Sequence, residues 1–186
     1  YEAKQAGRGQ YRTFKPEMLA QGNQRLSMSV EIEAALKKNE FTLFYQPIVN
    51  LVTGRPEGIE ALIRWQKPDG RVLLPEAFLP HAQTAGLIKK IDCWVLARAS
   101  REAAVWHRSE GYALPVCVNL SAISLQQPDM AEYIIGVLKD TGLPPCLLNL
   151  EITEMALTTD PQAAYAVLEN ISSLGVMFSI GDFGTG

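Results

Sequence analysis

No apolar run in this 186-residue chain approaches the roughly 18 residues that a membrane helix needs, because Arg98 and Arg101 interrupt the best candidate, around Trp94. The first residues, Tyr1 to Gln10, are polar and charged, which excludes reading them as a signal peptide. Cysteine is scarce. Cys93, Cys117 and Cys146 lie far apart without zinc or redox spacing, and are expected as small buried hydrophobes in a reducing cytoplasm. Histidine is scarcer still: His81 and His107 fall on helical segments without partner ligands, and both read as structural. No Ser–His or Cys–His arrangement stands out. Charge of either sign is nearly balanced at a net −3, which argues against bulk attraction to nucleic acid polymers or anionic membranes. An anionic ligand would therefore need local Arg or Lys groups, or bound cations. What is present is an ordinary globular composition, 47% hydrophobic and 20% charged, enough for one sizeable core.

Residues 1–15 differ from the rest: a helix end at Tyr1 to Ala6, stops at Gly7 and Gly9, then a short apolar stretch from Tyr11 to Phe14. Pro16 to Asn23 has a linker's composition, and a helix rich in Ala, Leu, Glu and Lys is expected from about Ser27 to Lys38. From Phe41 onward strand and helix signals alternate. Strands are expected at Phe41 to Val49, Gly58 to Trp65, Val116 to Leu120, Leu147 to Ile152 and Val176 to Ile180. Between them lie helices: one opened by Pro75, one from Ile88 to Ser109, one opened by Pro128, and one capped by Asp160 with Pro161 at its start. This alternation predicts a parallel sheet with crossover helices and strands buried on both faces. A doubly wound sheet and a (β/α)₈ barrel both fit it. A complete barrel usually takes about 250 residues, so a barrel reading implies that only part of one lies in this sequence.

Strand alternation puts Glu60, Leu62 and Arg64 on one face and Ala61 and Ile63 on the other. A carboxylate and a guanidinium on an otherwise apolar strand need partners. The next strand ends in Asn119, the one after it in Glu151 with Glu154 close behind, and the last runs into Gly181-Asp182-Phe183-Gly184-Thr185-Gly186. Catalytic groups of parallel α/β folds gather at such strand ends. Two carboxylates and an amide carbonyl are hard oxygen donors, suited to Mg²⁺ or Mn²⁺ rather than zinc, and Arg64 is a natural fork for phosphate. Singly, each feature is weak. Glu-Ala-Leu is common by chance, and Asp-Phe-Gly also occurs in kinases, whose glycine-rich and catalytic loops are missing here.

The conjunction is specific. Phe44-Tyr45-Gln46-Pro47-Ile48-Val49, Glu60-Ala61-Leu62-Ile63-Arg64-Trp65, Ile91-Asp92-Cys93-Trp94, Val118-Asn119-Leu120-Ser121, Leu150-Glu151-Ile152-Thr153-Glu154 and Asp182-Phe183-Gly184-Thr185-Gly186 occur in this order. Together they resemble the EAL domain family of cyclic-di-GMP phosphodiesterases, from residue 27 to residue 186. Residues 1–15 resemble the C-terminal tail of a GGDEF domain, with 16–26 as linker, although the GGDEF signature loop itself is absent. The resemblance implies a TIM-barrel-like (β/α)₈ fold, represented here by its first part, and hydrolysis of cyclic-di-GMP to linear pGpG with two Mg²⁺ or Mn²⁺ ions. By motif, Glu60, Asn119, Glu151 and Asp182 are implied metal ligands, with Glu60 and Asp182 catalytic. Gln46, Leu62, Arg64 and Asp92 are implied substrate contacts, and Glu154 a loop anchor. The resemblance further implies a homodimer, an upstream GGDEF domain in the same polypeptide, and a cytoplasmic location for this segment, with any membrane anchor elsewhere.

Two departures matter. Active members usually carry Asp where this chain has Gly181, a position that would serve both metals. The family's catalytic lysine and a later glutamate would fall beyond Gly186. Two functions therefore stand side by side: a phosphodiesterase that tolerates Gly181, and a degenerate, non-catalytic cyclic-di-GMP receptor. A partner domain that binds no nucleotide is a third, disfavoured by the retained Arg64.

Overall fold

The structure is a computed structural model that describes residues 16–111 and 113–181. The proposed GGDEF-like tail, residues 1–15, lies outside them, as do Asp182 and the four residues after it. Helix α1 (Pro16–Lys38) is longer than the expected Ser27–Lys38. The segment that reads as a linker is helical because Pro16 fits a helix's first turn and Met18, Leu19 and Ala20 are good helix formers. Ile32 and Ala35 are fully buried against the rest of the fold, and α1 ends at Asn39 in the left-handed region (φ 55°) after Lys37 and Lys38.

Strand β1 (Phe41–Val49) pairs antiparallel with β2 (Pro56–Gln66), correcting the expectation of an all-parallel sheet. Hydrophobic periodicity carries no direction, but the short turn between these strands does: it cannot accommodate a parallel crossover. Asn50 shapes that turn, its Oδ1 accepting from the N–H groups of Val52 and Thr53. A two-residue strand β3 (Val72–Leu73) folds back on β2. After a 3₁₀ turn (Pro75–Ala77) come α2 (Leu79–Thr84) and α3 (Ile88–Glu110).

The remaining strands are parallel. β4 (Val116–Asn119) lies beside β2, β5 (Leu148–Thr153) beside β4, and β6 (Met177–Gly181) beside β5. The sheet order is β1-β2-β4-β5-β6. Crossovers run through α3, then α4 (Ala122–Leu125) with α5 (Met130–Thr141), then α6 (Glu154–Thr159) with α7 (Pro161–Ser172). The expected Asp160 cap is there, accepting from the Ala163 N–H at 3.1 Å, and Gly111 and Gly142 end α3 and α5 in left-handed geometry (φ 65° and 69°).

The core lies between sheet and helices. Val116, Leu148 and Leu150 are fully buried on the central strands, facing helix residues such as Ile91, Leu96, Ile134 and Ile171. Of the apolar residues spaced along one face of α3, Ile88, Ile91, Val95 and Ala99 are buried and Trp106 is half-buried. Phe41, Trp65 and Phe78 form an aromatic cluster with centroids 5.4–5.7 Å apart. Two strands depart from the two-face burial expected of them: Phe44, Ile48 and Val49 of β1 and Met177 and Ile180 of β6 are exposed, because both strands lie at sheet ends among the described residues. The cysteines are free. Cys117 is buried and Cys93 half-buried, but Cys146 is exposed, against expectation, because it sits on the 3₁₀ turn Pro145–Leu147 outside the core. No helix among the described residues is long and apolar enough to cross a membrane.

Candidate functional site

Parallel strands bring their C-terminal ends to one rim, and there the sheet opens into a cleft of about 530 Å³. Glu60, Leu62, Asp92, Asn119, Glu151 and Gly181 all line it. Five residues singled out from sequence are therefore brought together with Gly181, the position where an Asp was expected from the resemblance. The mechanism of assembly is register. Glu60 lies opposite Cys117 and Asn119 opposite Glu151, so alternate residues of β2, β4 and β5 project to the same side.

Side chains then meet on diagonals rather than straight across. Asn119 Nδ2 donates to Glu60 Oε1 at 2.8 Å, two residues beyond Glu60's register partner. Asn149 Nδ2 donates to Ser179 Oγ at 3.0 Å with the same offset, and also reaches Cys117 Sγ at 3.2 Å. Burial holds the Cys117 thiol above its ordinary pKa, with Glu151 and Glu60 adding to the shift. The third diagonal runs from Glu151 to Gly181. A Cβ at Gly181 would lie 2.8 Å from Glu151 Cγ and 3.0 Å from its Cδ, and closer still to Oε1. The Glu151 side chain thus occupies the space in which any other side chain at 181 would begin.

Asp92 enters from the second turn of α3. It is buried, and its Oδ2 accepts from the Ser121 N–H (3.1 Å), Ser121 Oγ (2.5 Å) and Ser124 Oγ (2.6 Å). Burial pushes its carboxyl above the usual range, against the opposing pull of the Ser121 and Ser124 donors. Ser121 is also the N-cap of α4, its Oγ accepting from the Ser124 N–H. Asp92 therefore fixes the loop that leaves Asn119.

The other sequence candidates are placed less centrally. Gln46 is exposed but sits opposite Glu60 in the β1–β2 register, on the same face. Arg64 does not line the cleft: its Nη1 donates to the Ile63 carbonyl at 2.9 Å, and its guanidinium lies 5.5 Å from the centre of the Phe44 ring. Glu154 is exposed in the first turn of α6. Asp182 lies outside the described residues. Sequence reasoning missed Glu76 and Thr153, which also line the cleft; the proline-opened turn after β3 was the signal for Glu76.

Among the described residues no three carboxylate, imidazole or thiolate groups form a metal cluster. The available set is two carboxylates and one amide, Glu60, Glu151 and Asn119, on adjacent rim positions. Hard oxygen donors of this kind fit Mg²⁺ or Mn²⁺.

Comparison with known proteins agrees with the geometry. The chain is 40% identical over 186 residues to an uncharacterized signaling protein of Caulobacter vibrioides, covering 100% of this chain and 22% of that protein. It is 36% identical over 186 residues to the cyclic di-GMP phosphodiesterase NbdA of Pseudomonas aeruginosa, covering 100% of this chain and 24% of NbdA. The chain thus spans about a quarter of the length of these curated relatives. Among solved structures, the PaMucR phosphodiesterase in complex with c-di-GMP superposes with a TM-score of 0.81 at 36% identity, covering 86% of this chain and 65% of that one. The Xanthomonas citri FimX EAL domain with c-diGMP gives 0.80 at 28% identity, with 90% and 64% covered. The fold is accordingly the α/β architecture of these neighbours, part of a TIM-barrel-like domain, and with residues 29–186 matching the family the chain belongs to the EAL domains.

Proposed function

We propose that this chain forms the substrate-binding and metal-binding part of a cyclic-di-GMP phosphodiesterase acting in bacterial second-messenger signalling. The observation that carries the reading is the meeting of Glu60, Asn119 and Glu151 on three adjacent strand ends in one cleft. A Mg²⁺ or Mn²⁺ ion held there supplies charge for phosphoryl oxygens and a water of lowered pKa. Glu60 and Glu151 bring the negative charge and Asn119 the neutral carbonyl, its amide N–H already orienting Glu60. The resemblance assigns Asp182 as a further ligand of this ion. Arg64, released from its contact with Phe44, offers a two-pronged donor to the phosphate. Leu62 and Gln46 border the same face, Asp92 holds the Ser121 loop beside it, and Glu154 would anchor the segment after β6. In the reaction, a water oxygen bonds to phosphorus, one bridging P–O bond breaks and the leaving 3′-oxygen takes a proton, giving linear pGpG. A homodimer and an upstream GGDEF domain accompany this proposal.

Gly181 favours a second reading, a receptor that binds cyclic-di-GMP without cleaving it, since glycine offers no ligand where a carboxylate is expected. One assay separates the two. The purified protein is incubated with cyclic-di-GMP and Mn²⁺, beside a Gly181→Asp variant. Accumulating pGpG from the unaltered protein eliminates the receptor. Tight binding without turnover, abolished by Arg64→Ala, eliminates the enzyme.

A further inference from the structure

The turn between β1 and β2 carries unusual chemistry for a turn. Such positions favour Gly, Pro, Asn, Asp and Ser, yet Leu51 and Val52 stand side by side at its tip with nearly all of their surface exposed. The tip is also held still. Asn50 Oδ1 accepts from the Val52 and Thr53 N–H groups, each at 2.9 Å, and Asn50 Nδ2 donates to Glu57 Oε1 at 2.7 Å. Thr53 Oγ1 accepts from the Arg55 N–H at 3.3 Å. Two aliphatic side chains on a pre-ordered tip, with Ile48 and Val49 exposed behind them, give up little entropy on meeting a partner. The same rim offers a receptor. A pocket of about 220 Å³ lies between the last turns of α5 and the entries to β5 and β6, lined by Ile135, Leu138, Leu143, Pro145, Leu174 and the charged Lys139. β2 begins just after the tip, and β5 and β6 begin just after the pocket. Since these strands are parallel, tip and pocket both lie at the rim away from the cleft. The tip does not fill its own chain's pocket, because its side chains are in solvent and β2 stands two places from β5 in the sheet.

We propose that Leu51 and Val52 dock into this pocket on a second copy of the chain, and that a two-fold axis makes the contact twice, each copy giving its tip and receiving the other's. Charge favours a copy of the same chain as the occupant. Arg55 and Glu57 flank the tip, while Lys139 lines the pocket and Asp140 follows it in sequence. Neither Lys139 nor Asp140 has an ion-pair partner among the described residues. A seated tip thus brings one cation and one anion to a wall that carries one of each unpaired. The contact is apolar at its centre and charged at its edge, the anatomy of a specific protein interface. It gives the proposed homodimer a surface without involving the cleft, and does not rest on cyclic-di-GMP chemistry.

Sedimentation equilibrium of the purified protein, without metal or nucleotide, tests this. The unaltered protein is expected to dimerise as its concentration rises; a monomer at every concentration up to about 1 mM overturns the proposal. Leu51→Asp/Val52→Asp puts charge on the tip, and Leu174→Lys puts the opposite charge in the pocket wall. Each is expected to raise the dissociation constant at least about tenfold, because an aliphatic contact is lost. Leu51→Ser/Val52→Ser, which adds no charge, should weaken the dimer in the same direction. A dimer indifferent to the tip or the pocket variants overturns the proposal. All three substituted side chains are exposed, so thermal midpoints should stay where they are and show that the variants are folded. The decisive arm is a mixture. Alone, each variant has two spoiled contacts. Mixed, the tip and pocket variants share one unaltered tip-in-pocket contact, and their other contact sets opposite charges together. The equimolar mixture is expected to regain dimer that neither variant forms alone, and no recovery between folded variants overturns the reciprocal docking. None of these outcomes bears on the cleft: cyclic-di-GMP binding and turnover succeed or fail separately, and they alone decide the proposed function.

Discussion

Replacing Asp92 by Ala strips the loop after β4 of its only described carboxylate anchor, and the loss can be sized from the three bonds to Oδ2. Ser124 is fully buried, so its hydroxyl loses an acceptor that water does not replace. Ser121 is half-buried beside the cleft, where water can take over much of the bonding to its N–H and Oγ. A buried donor left without a partner costs about 1–3 kcal/mol. Against this, a carboxylate that burial already disfavours is removed, which returns part of the cost. A net destabilisation of about 2 kcal/mol is expected for Asp92→Ala, and about half that for Asp92→Asn, which retains an acceptor oxygen. Urea unfolding measures it: the midpoint should fall by about 1 M at unchanged slope. The pH dependence supplies a second, sign-specific check. Asp92's folded pKa is raised, so its contribution is fully present below the unfolded value of about 3.9 and is lost as pH rises through the folded value. The stability of the unaltered protein relative to Asp92→Asn should therefore decline from about pH 4 upward. An advantage that grows with pH, or an Asp92→Ala midpoint indistinguishable from the unaltered one, would refute the reasoning.

Three further outcomes follow from the described contacts. Phe78→Ala empties the fully buried end of the aromatic cluster with Phe41 and Trp65, and should cost about 3–5 kcal/mol in chemical denaturation. Asn119→Ala removes both a proposed ligand and Glu60's partner; calorimetric Mn²⁺ affinity should fall at least about tenfold, with little change in thermal midpoint because Asn119 is exposed. Phe44→Ala frees the Arg64 guanidinium from the ring it must leave to reach phosphate and should strengthen cyclic-di-GMP binding by about 0.5–1 kcal/mol, whereas Arg64→Ala weakens it in the same titration.

The site was legible wherever chemistry and strand position coincide. Glu60, Asn119 and Glu151 stand at predictable ends of apolar strands, and strand alternation alone puts them on one side. Contacts between strands were not legible, because they depend on register and stagger. Gly181 reads in sequence as a missing ligand; its steric relation to Glu151 needs the diagonal offset between β5 and β6. The anchoring role of Asp92 was not legible, because its bonds to Ser121 and Ser124 span 29 and 32 residues, beyond any local pattern. The direction of β1 escaped for a different reason. A periodicity of two is the same read either way, and only the shortness of the Asn50–Gly54 turn reveals the reversal. Helix α1 exceeded its expected start because polar, glycine-containing sequence is a weak argument against a helix that packs Ile32 and Ala35 into the core.

That reversal gives the domain a sidedness useful to a protein engineer. Because β1 runs against its neighbours, its first residues stand at the cleft rim and its last at the far rim, where the chain turns through Leu51 and Val52. Both side chains are almost wholly in solvent, 99% and 95% exposed. A reporter spliced into that turn would ride on the side of the sheet away from Glu60, Asn119 and Glu151, leaving the cleft's geometry to the strands that build it.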